Sequence, residues 1–195
     1  MTRIGLLRHY PTDWNREGRL QGQVDRPLND EARDMLAQVR LPEEWAGVRI
    51  IASGLSRTVD TARLLAPGTE ILNDRRLMEI AWGAWEGHRS ADLLADPSSD
   101  FVPTGDMGWR DRPPGGESMA DAWERVQPAL AEIAADGPAL LVIHKAIMRV
   151  ILGFAHKWQV PGGEIQIKRG RIYPLTLREN GMPVQPEEPI RLVKV

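Results

Sequence analysis

Ile4-Gly5-Leu6-Leu7-Arg8-His9-Tyr10 is the stretch that decides the fold. Its first four residues are short, apolar and uninterrupted, as a strand buried on both faces must be. The run stops at two cationic or ionisable side chains, and turn-prone Pro11-Thr12-Asp13 follows. In an open α/β sheet, ligands bind outside the carboxyl ends of the strands. Arg8 and His9 at such an end offer an anion clamp and a nucleophile side by side. Alone, such a pair more often caps a sheet edge and holds a structural histidine, so the rest of the chain decides.

The pattern recurs twice. Val48-Arg49-Ile50-Ile51-Ala52 reads as a second strand ending at Ser53-Gly54, with a helix from near Ser56 that carries Arg57, Thr58, Thr61 and Ala62. Ala139-Leu140-Leu141-Val142-Ile143 is the clearest buried strand; it ends at His144, and a helix follows from about Ala146 to Ala155. Strands that each end in polar residues and hand over to a helix argue for parallel neighbours. The expected architecture is therefore α/β: a three-layer α/β/α sandwich, with a mostly parallel central sheet and one antiparallel edge strand.

Between these strands the reading is coarser. Residues 9–28 are too irregular for a helix or strand. Asn29 caps a helix to about Arg40, with Ala32, Met35, Leu36 and Val39 on its apolar face. Residues 69–72 suit a short strand, and Leu77 to Gly87 a compact turn holding Glu79. A short helix follows from Ser90 to about Ala95. An amphipathic helix runs from Gly116-Glu117-Ser118 to about Ala135, and Pro128 should bend or break it. A tail from Glu164 holds a strand at 171–178, an Asn180-Gly181 turn and a last strand at Ile190–Val195. Residues 97–115, rich in Pro, Gly, Ser and Asp, read as a surface excursion or lid. With no repeat and no linker, residues 1–195 are expected to form a single domain.

The 195 residues are 42% hydrophobic and 27% charged, as in soluble globular proteins. A formal net charge of −2 gives the molecule no general attraction to nucleic acid or anionic membrane. There is no cysteine, which excludes disulfides, thiolate catalysis and cysteine-ligated metals. Arg3 and Arg8 interrupt what would be the apolar core of a signal peptide, and no apolar run approaches a membrane span. Cytoplasmic residence, with neither nucleic acid nor membrane as partner, is the expectation. The sequence is silent on oligomeric state.

Arg8-His9, Ser53 with Arg57, and His144 all fall along one edge of a parallel sheet. Two histidines and two arginines in one cleft attract a dianionic phosphoryl group. They also lower each other's proton affinity, which leaves an imidazole neutral and nucleophilic. The ordered set extends through Leu7-Arg8-His9, Thr12, Trp14-Asn15, Gln21-Gly22, Asp25 and Pro27-Leu28-Asn29. It continues through Ser53, Leu55, Arg57, Thr61-Ala62, Leu77, Glu79, Gly83, Trp85-Glu86-Gly87, Gly116-Glu117-Ser118 and Val142-Ile143-His144. This set resembles the histidine phosphatase (phosphoglycerate mutase-like) superfamily, in its phosphatase branch.

The resemblance implies a phosphomonoesterase acting on a small phosphorylated metabolite. His9 would become a phosphohistidine, while Arg8, Arg57 and His144 bind the phosphoryl oxygens. Glu79 would serve as proton donor and then as base for water; Ile80, Trp82 and Trp85 supply the desolvation that raises its pKa. Asn15, Gln21 and Gly22 would contact phosphate or substrate. No cofactor and no metal are expected, since His9 and His144 lack a third ligand at suitable spacing. Glu117 and Ser118 read as helix caps, and His88 and His156 as ordinary surface or half-buried residues.

Two positions depart from the family pattern, where glycine usually follows each histidine: here they are Tyr10 and Lys145. Tyr10 either lines the leaving-group pocket or packs locally, and Lys145 either adds a cation for an acidic substrate or points to solvent. Two alternatives follow. A phosphoglycerate mutase would return the phosphoryl group to a bound product, although Gly83-Ala84-Trp85-Glu86-Gly87 looks phosphatase-like. A catalytically silent phosphate-binding protein on the same fold is the other.

Overall fold

The computed structural model describes residues 1–103, 105–158 and 165–195. Thr104, inside the 97–115 excursion, and Glu164, at the start of the expected tail, lie outside the described residues. In chain order the elements are β1 (Thr2–Arg8), α1 (Asp13–Arg16), α2 (Asp30–Ala37), β2 (Val39–Arg40), β3 (Arg49–Ala52) and α3 (Ser56–Leu65). They continue with β4 (Ile71–Asn73), α4 (Ser90–Ala95), α5 (Met119–Asp136), β5 (Ala139–Ile143) and α6 (Lys145–Ala155). The last are β6 (Arg171–Leu177), β7 (Pro183–Val184), β8 (Ile190–Arg191) and β9 (Val193–Lys194).

The main sheet runs β4-β3-β5-β1-β6-β7, with β8 also on β6. β4, β3, β5 and β1 are mutually parallel, whereas β6 runs antiparallel to β1 and begins the antiparallel edge. Successive strand residues face opposite sides, and the core divides accordingly. Ile4, Leu6, Leu141 and Ile143 pack under α5 and α6, while Leu7, Leu140 and Val142 pack under α2 and α3. This is a sheet with helices on both faces. Gly5 is required by the second layer: a Cβ there would sit 2.6 Å from Ile172 Cγ2 and 2.8 Å from the ring of Trp45.

Four expectations need correction. Residues 9–28 do contain a helix, the single turn α1, closed by a capping box between Thr12 and Asn15; one polar turn leaves no apolar period to read. α2 ends at Ala37 rather than near Arg40, because Val39–Arg40 peels away to pair with β9. Within that same helix Met35 is exposed, and only Ala32 and Leu36 face the core. α5 passes through Pro128 unbroken, held down by buried Val126, Ala129, Leu130 and Ile133. The single strand expected at Ile190–Val195 is two, β8 on β6 and β9 on β2, parted at buried Leu192. The described part of 97–115 holds no helix or strand.

Candidate active site

β1 and β5 pair in parallel register, with Arg8 opposite Ile143, so His9 and His144 leave adjacent strands at the same level. The His9 backbone N–H donates to the Ile143 carbonyl at 3.0 Å, and the two imidazole centroids lie 5.2 Å apart at 59°. His9 Nδ1 is 2.7 Å from the Tyr10 carbonyl oxygen. A carbonyl only accepts, so Nδ1 carries the proton and Nε2 holds the lone pair. Burial, then the charges of Arg57, Arg169 and Arg8, hold His9 well below the usual histidine pKa. The ring is therefore neutral near pH 7, with one nucleophilic nitrogen.

His144 is oriented by a relay. Thr58 Oγ1 donates to the Leu55 carbonyl at 2.7 Å, Ser53 Oγ lies 3.0 Å from Thr58 Oγ1, and His144 Nε2 lies 2.8 Å from Ser53 Oγ. Each hydroxyl has one proton, and the chain ends on an acceptor. Ser53 must then donate to Thr58, and His144 Nε2–H to Ser53. Burial first, then Arg57, holds His144 well below its ordinary pKa too.

Arg57 is fully buried beside the histidines; its Nη1 and Nη2 donate to the Val24 and Gly22 carbonyls at 3.1 and 2.6 Å. Arg57 Nε, Arg8 Nε and Gln21 Nε2 are buried donors without a protein partner. Leaving such donors unpaired costs about 1–3 kcal/mol each, more for charged groups, and an anion is the partner they fit. Glu79 is 6% exposed. Its Oε1 accepts from the Ile80 N–H at 3.1 Å and its Oε2 from the Ala146 N–H, in the first turn of α6, at 3.2 Å. Burial nevertheless raises its pKa, so it can carry a proton to higher pH than an exposed glutamate.

Of the residues expected at the site, Arg8, His9, Asn15, Gln21, Glu79 and Lys145 line one cleft of about 170 Å³. Arg57 and His144 lie buried next to His9; Arg57 lowers its proton affinity through charge, and the His144 ring packs 5.2 Å from it. Tyr10 and Gly22 do not line the cleft. The Tyr10 ring belongs to the core with Leu7 and Val142, and its N–H donates to Thr61 Oγ1 at 3.0 Å. Gly22 is engaged within the protein, its carbonyl by Arg57 and its N–H by Glu86 Oε1.

Sequence reading missed Arg169. Its Nε donates to the His9 carbonyl at 3.1 Å and its Nη2 to Asn15 Oδ1 at 2.9 Å. Burial and the neighbouring Arg8 bring its own pKa down to about 10. No period or motif surrounds it, so only the tertiary fold reveals it. Arg19 and Arg149 also line the cleft unannounced. Glu117, expected to cap α5 with Ser118, does not: the capping box there pairs Ser118 with Asp121. Glu117 accepts from Arg125 Nε at 2.8 Å and the Ala81 N–H at 3.0 Å, and Arg125 donates to the Glu79 carbonyl, which braces the segment carrying Glu79. Ser118 caps α5 as expected.

A neutral buried imidazole with one free nitrogen, three arginines around it and a protonatable carboxyl are the parts of phosphoryl transfer through a histidine. Residues 4–185 match the family model of the histidine phosphatase superfamily, branch 1. This chain belongs to the histidine phosphatase superfamily. A relative, the probable phosphoglycerate mutase GpmB of Enterobacter sp. (strain 638), is 41% identical over 136 residues, which are 68% of this chain and 63% of that protein. The match thus spans less than two thirds of that relative's length. Among solved structures, TTHB049 from Thermus thermophilus matches with TM-score 0.70 and 26% identity, covering 98% of each chain. The mycobacterial glucosyl-3-phosphoglycerate phosphatase Rv2419c, solved with VO3, matches with TM-score 0.73 and 27% identity, over 90% of this chain and 93% of that one. This superfamily member has no helix, among its described residues, long and apolar enough to cross a membrane.

Proposed function

We propose that this chain is a phosphomonoesterase that hydrolyses a small phosphorylated metabolite through a phosphohistidine on His9. The observation that carries this reading is the Nδ1–H bond from His9 to the Tyr10 carbonyl, which leaves Nε2 as the single nucleophilic nitrogen. Nε2 attacks phosphorus and the ester P–O bond breaks. The leaving oxygen takes its proton from Glu79. The Glu79 carboxylate then removes a proton from water, whose oxygen attacks phosphorus as the P–N bond breaks. Inorganic phosphate leaves, and both His9 and protonated Glu79 are restored. Arg8, Arg57 and Arg169 offset the charge on the phosphoryl oxygens, and removing one such donor typically costs about 10²–10³ in rate.

The experiment is phosphate release from p-nitrophenyl phosphate by wild type and His9→Ala. The expected result is loss of release and of acid-labile protein-bound phosphate in the variant. Equal rates overturn the reading.

A second reading is favoured by the relative named a probable phosphoglycerate mutase. It uses the same phosphohistidine but returns the group to a bound product. The phosphatase among the solved neighbours and the Gly83–Gly87 segment support hydrolysis instead. Conversion of 3-phosphoglycerate to 2-phosphoglycerate faster than phosphate release would select the mutase.

A further inference from the structure

An apolar cavity of about 600 Å³ adjoins the phosphate cleft, and Met119 and Arg149 wall both. Its other walls are chiefly Trp109, Trp123, Phe154 and Trp158. Trp123 and Phe154 stack at 4.1 Å, and Trp109 and Trp158 meet Phe154 edge-on at 5.7 and 5.8 Å. Cavities of this volume and lining hold apolar ligands.

Trp158 is the telling wall. It remains 52% exposed, although it is the kind of side chain that folding normally covers. Two adjacent non-glycine residues, Lys157 and Trp158, take left-handed backbone at φ 53° and 56° to place it. That conformation is costly for residues with a Cβ and marks a segment held against local preference. The Trp158 N–H donates to the Gly153 carbonyl at 2.7 Å, which ties the turn back onto α6. Gly153 itself sits in the last turn of α6, where the absence of a Cβ lets the Trp158 ring lie against the helix. A Cβ at Gly153 would lie 2.5 Å from the Trp158 ring. The turn gives up local stability, and the product is an indole seated on α6 and half exposed beside the cavity.

Resting on the hydrolase reading, we infer that the tryptophan-lined cavity receives the leaving group, and that the natural substrate is a phosphomonoester of a bulky, ring-bearing apolar alcohol. Phosphate sits against His9, the ester oxygen faces Glu79, and the rest of the alcohol passes Met119 and Arg149 into the aromatic walls. Polar small alcohols leave those walls unused. The chemistry is that given for hydrolysis, with the alcohol departing from the cavity after Glu79 protonates it.

The test compares ethyl, benzyl and naphthylmethyl phosphate, esters of alcohols of similar acidity, so that reactivity does not mimic recognition. Wild-type kcat/KM should rise by about tenfold or more from ethyl to naphthylmethyl phosphate, given the ring area buried. Trp158→Ala and Trp109→Ala should each shrink that ratio several-fold, chiefly through KM, while Trp158→Phe keeps most of it. A flat wild-type series, or a ratio unmoved in both alanine variants, overturns the inference. Binding of naphthylmethylphosphonate and methylphosphonate, measured by calorimetry, separates it from the hydrolase reading. Tighter binding of the ring-bearing phosphonate upholds the cavity even if no ester turns over. Equal binding removes it even if every ester is hydrolysed.

Discussion

At the scale of single residues, the site depends on which atom carries which proton. His9 has its proton fixed on Nδ1 by a backbone carbonyl, and burial raises the Glu79 pKa against the pull of the two N–H bonds to its carboxyl group and of Arg57 and Arg8. Glu79→Gln should therefore act according to the leaving group. Alkyl esters need the proton and should slow by about 10²–10⁴, as for loss of a general acid. Release of p-nitrophenol, a good leaving group, should fall much less in a single-turnover burst. Equal losses on both substrates would remove Glu79 from the acid role. Arg8, His9 and His144 were legible because each stands at or just past a strand end, and Arg57 because it lies in the first turn of the helix that follows one. Arg169 was not: it reaches His9 from a segment with no pattern. Tyr10 was misplaced for a related reason, since its aromatic ring could satisfy either a pocket or the core, and only packing chooses.

At the scale of elements, helices and strands with a dense apolar face were readable, and short or polar ones were not. β5 is buried along its whole length, and its sequence says so. α1 is one turn held by a capping box, and β2, β7, β8 and β9 are two-residue pairings that exist only because a partner strand arrives. α5 shows tertiary packing overriding a local rule. Pro128 removes a backbone donor from its interior, yet the helix continues, because several turns of it seal one face of the sheet. Pro128 is exposed, so Pro128→Ala should restore the helix bond without disturbing the core. We expect stabilisation of about 1–3 kcal/mol, less any entropy gained by the unfolded chain. Urea unfolding measures it; an unchanged or lower midpoint would show that Pro128 carries no strain.

For the whole molecule, the site contributes a pH dependence to stability. His9 and His144 bind protons less readily when folded than when unfolded. Below about pH 6.5 the unfolded chain takes up protons that the folded one refuses, so stability is fully present above that value and is lost as pH falls. Glu79 has the opposite sign, since its raised pKa lets stability fall as pH rises above the ordinary carboxylate range. Two imidazoles against one carboxyl make the acid loss dominate between about pH 6.5 and 5. The urea midpoint should drop from about pH 7.5 to about 5.5, and His144→Gln should flatten the dependence. A midpoint that holds or rises in wild type would contradict the buried neutral pair.

The strand that ends at Arg8 and leads into His9 is central, with β5 on one side and β6 on the other. Ile4 pairs with Ala139 and Thr2 with Leu177, so both partners come from the far end of the chain. On the ribosome, at about 5–20 residues per second, β1 must wait on the order of ten seconds or more for neighbours. Until then its apolar residues need shelter, from a chaperone or from loose collapse. His9 is thus translated long before Arg57, His144 and Arg169, and the site is completed only when the closing strands slot in around β1.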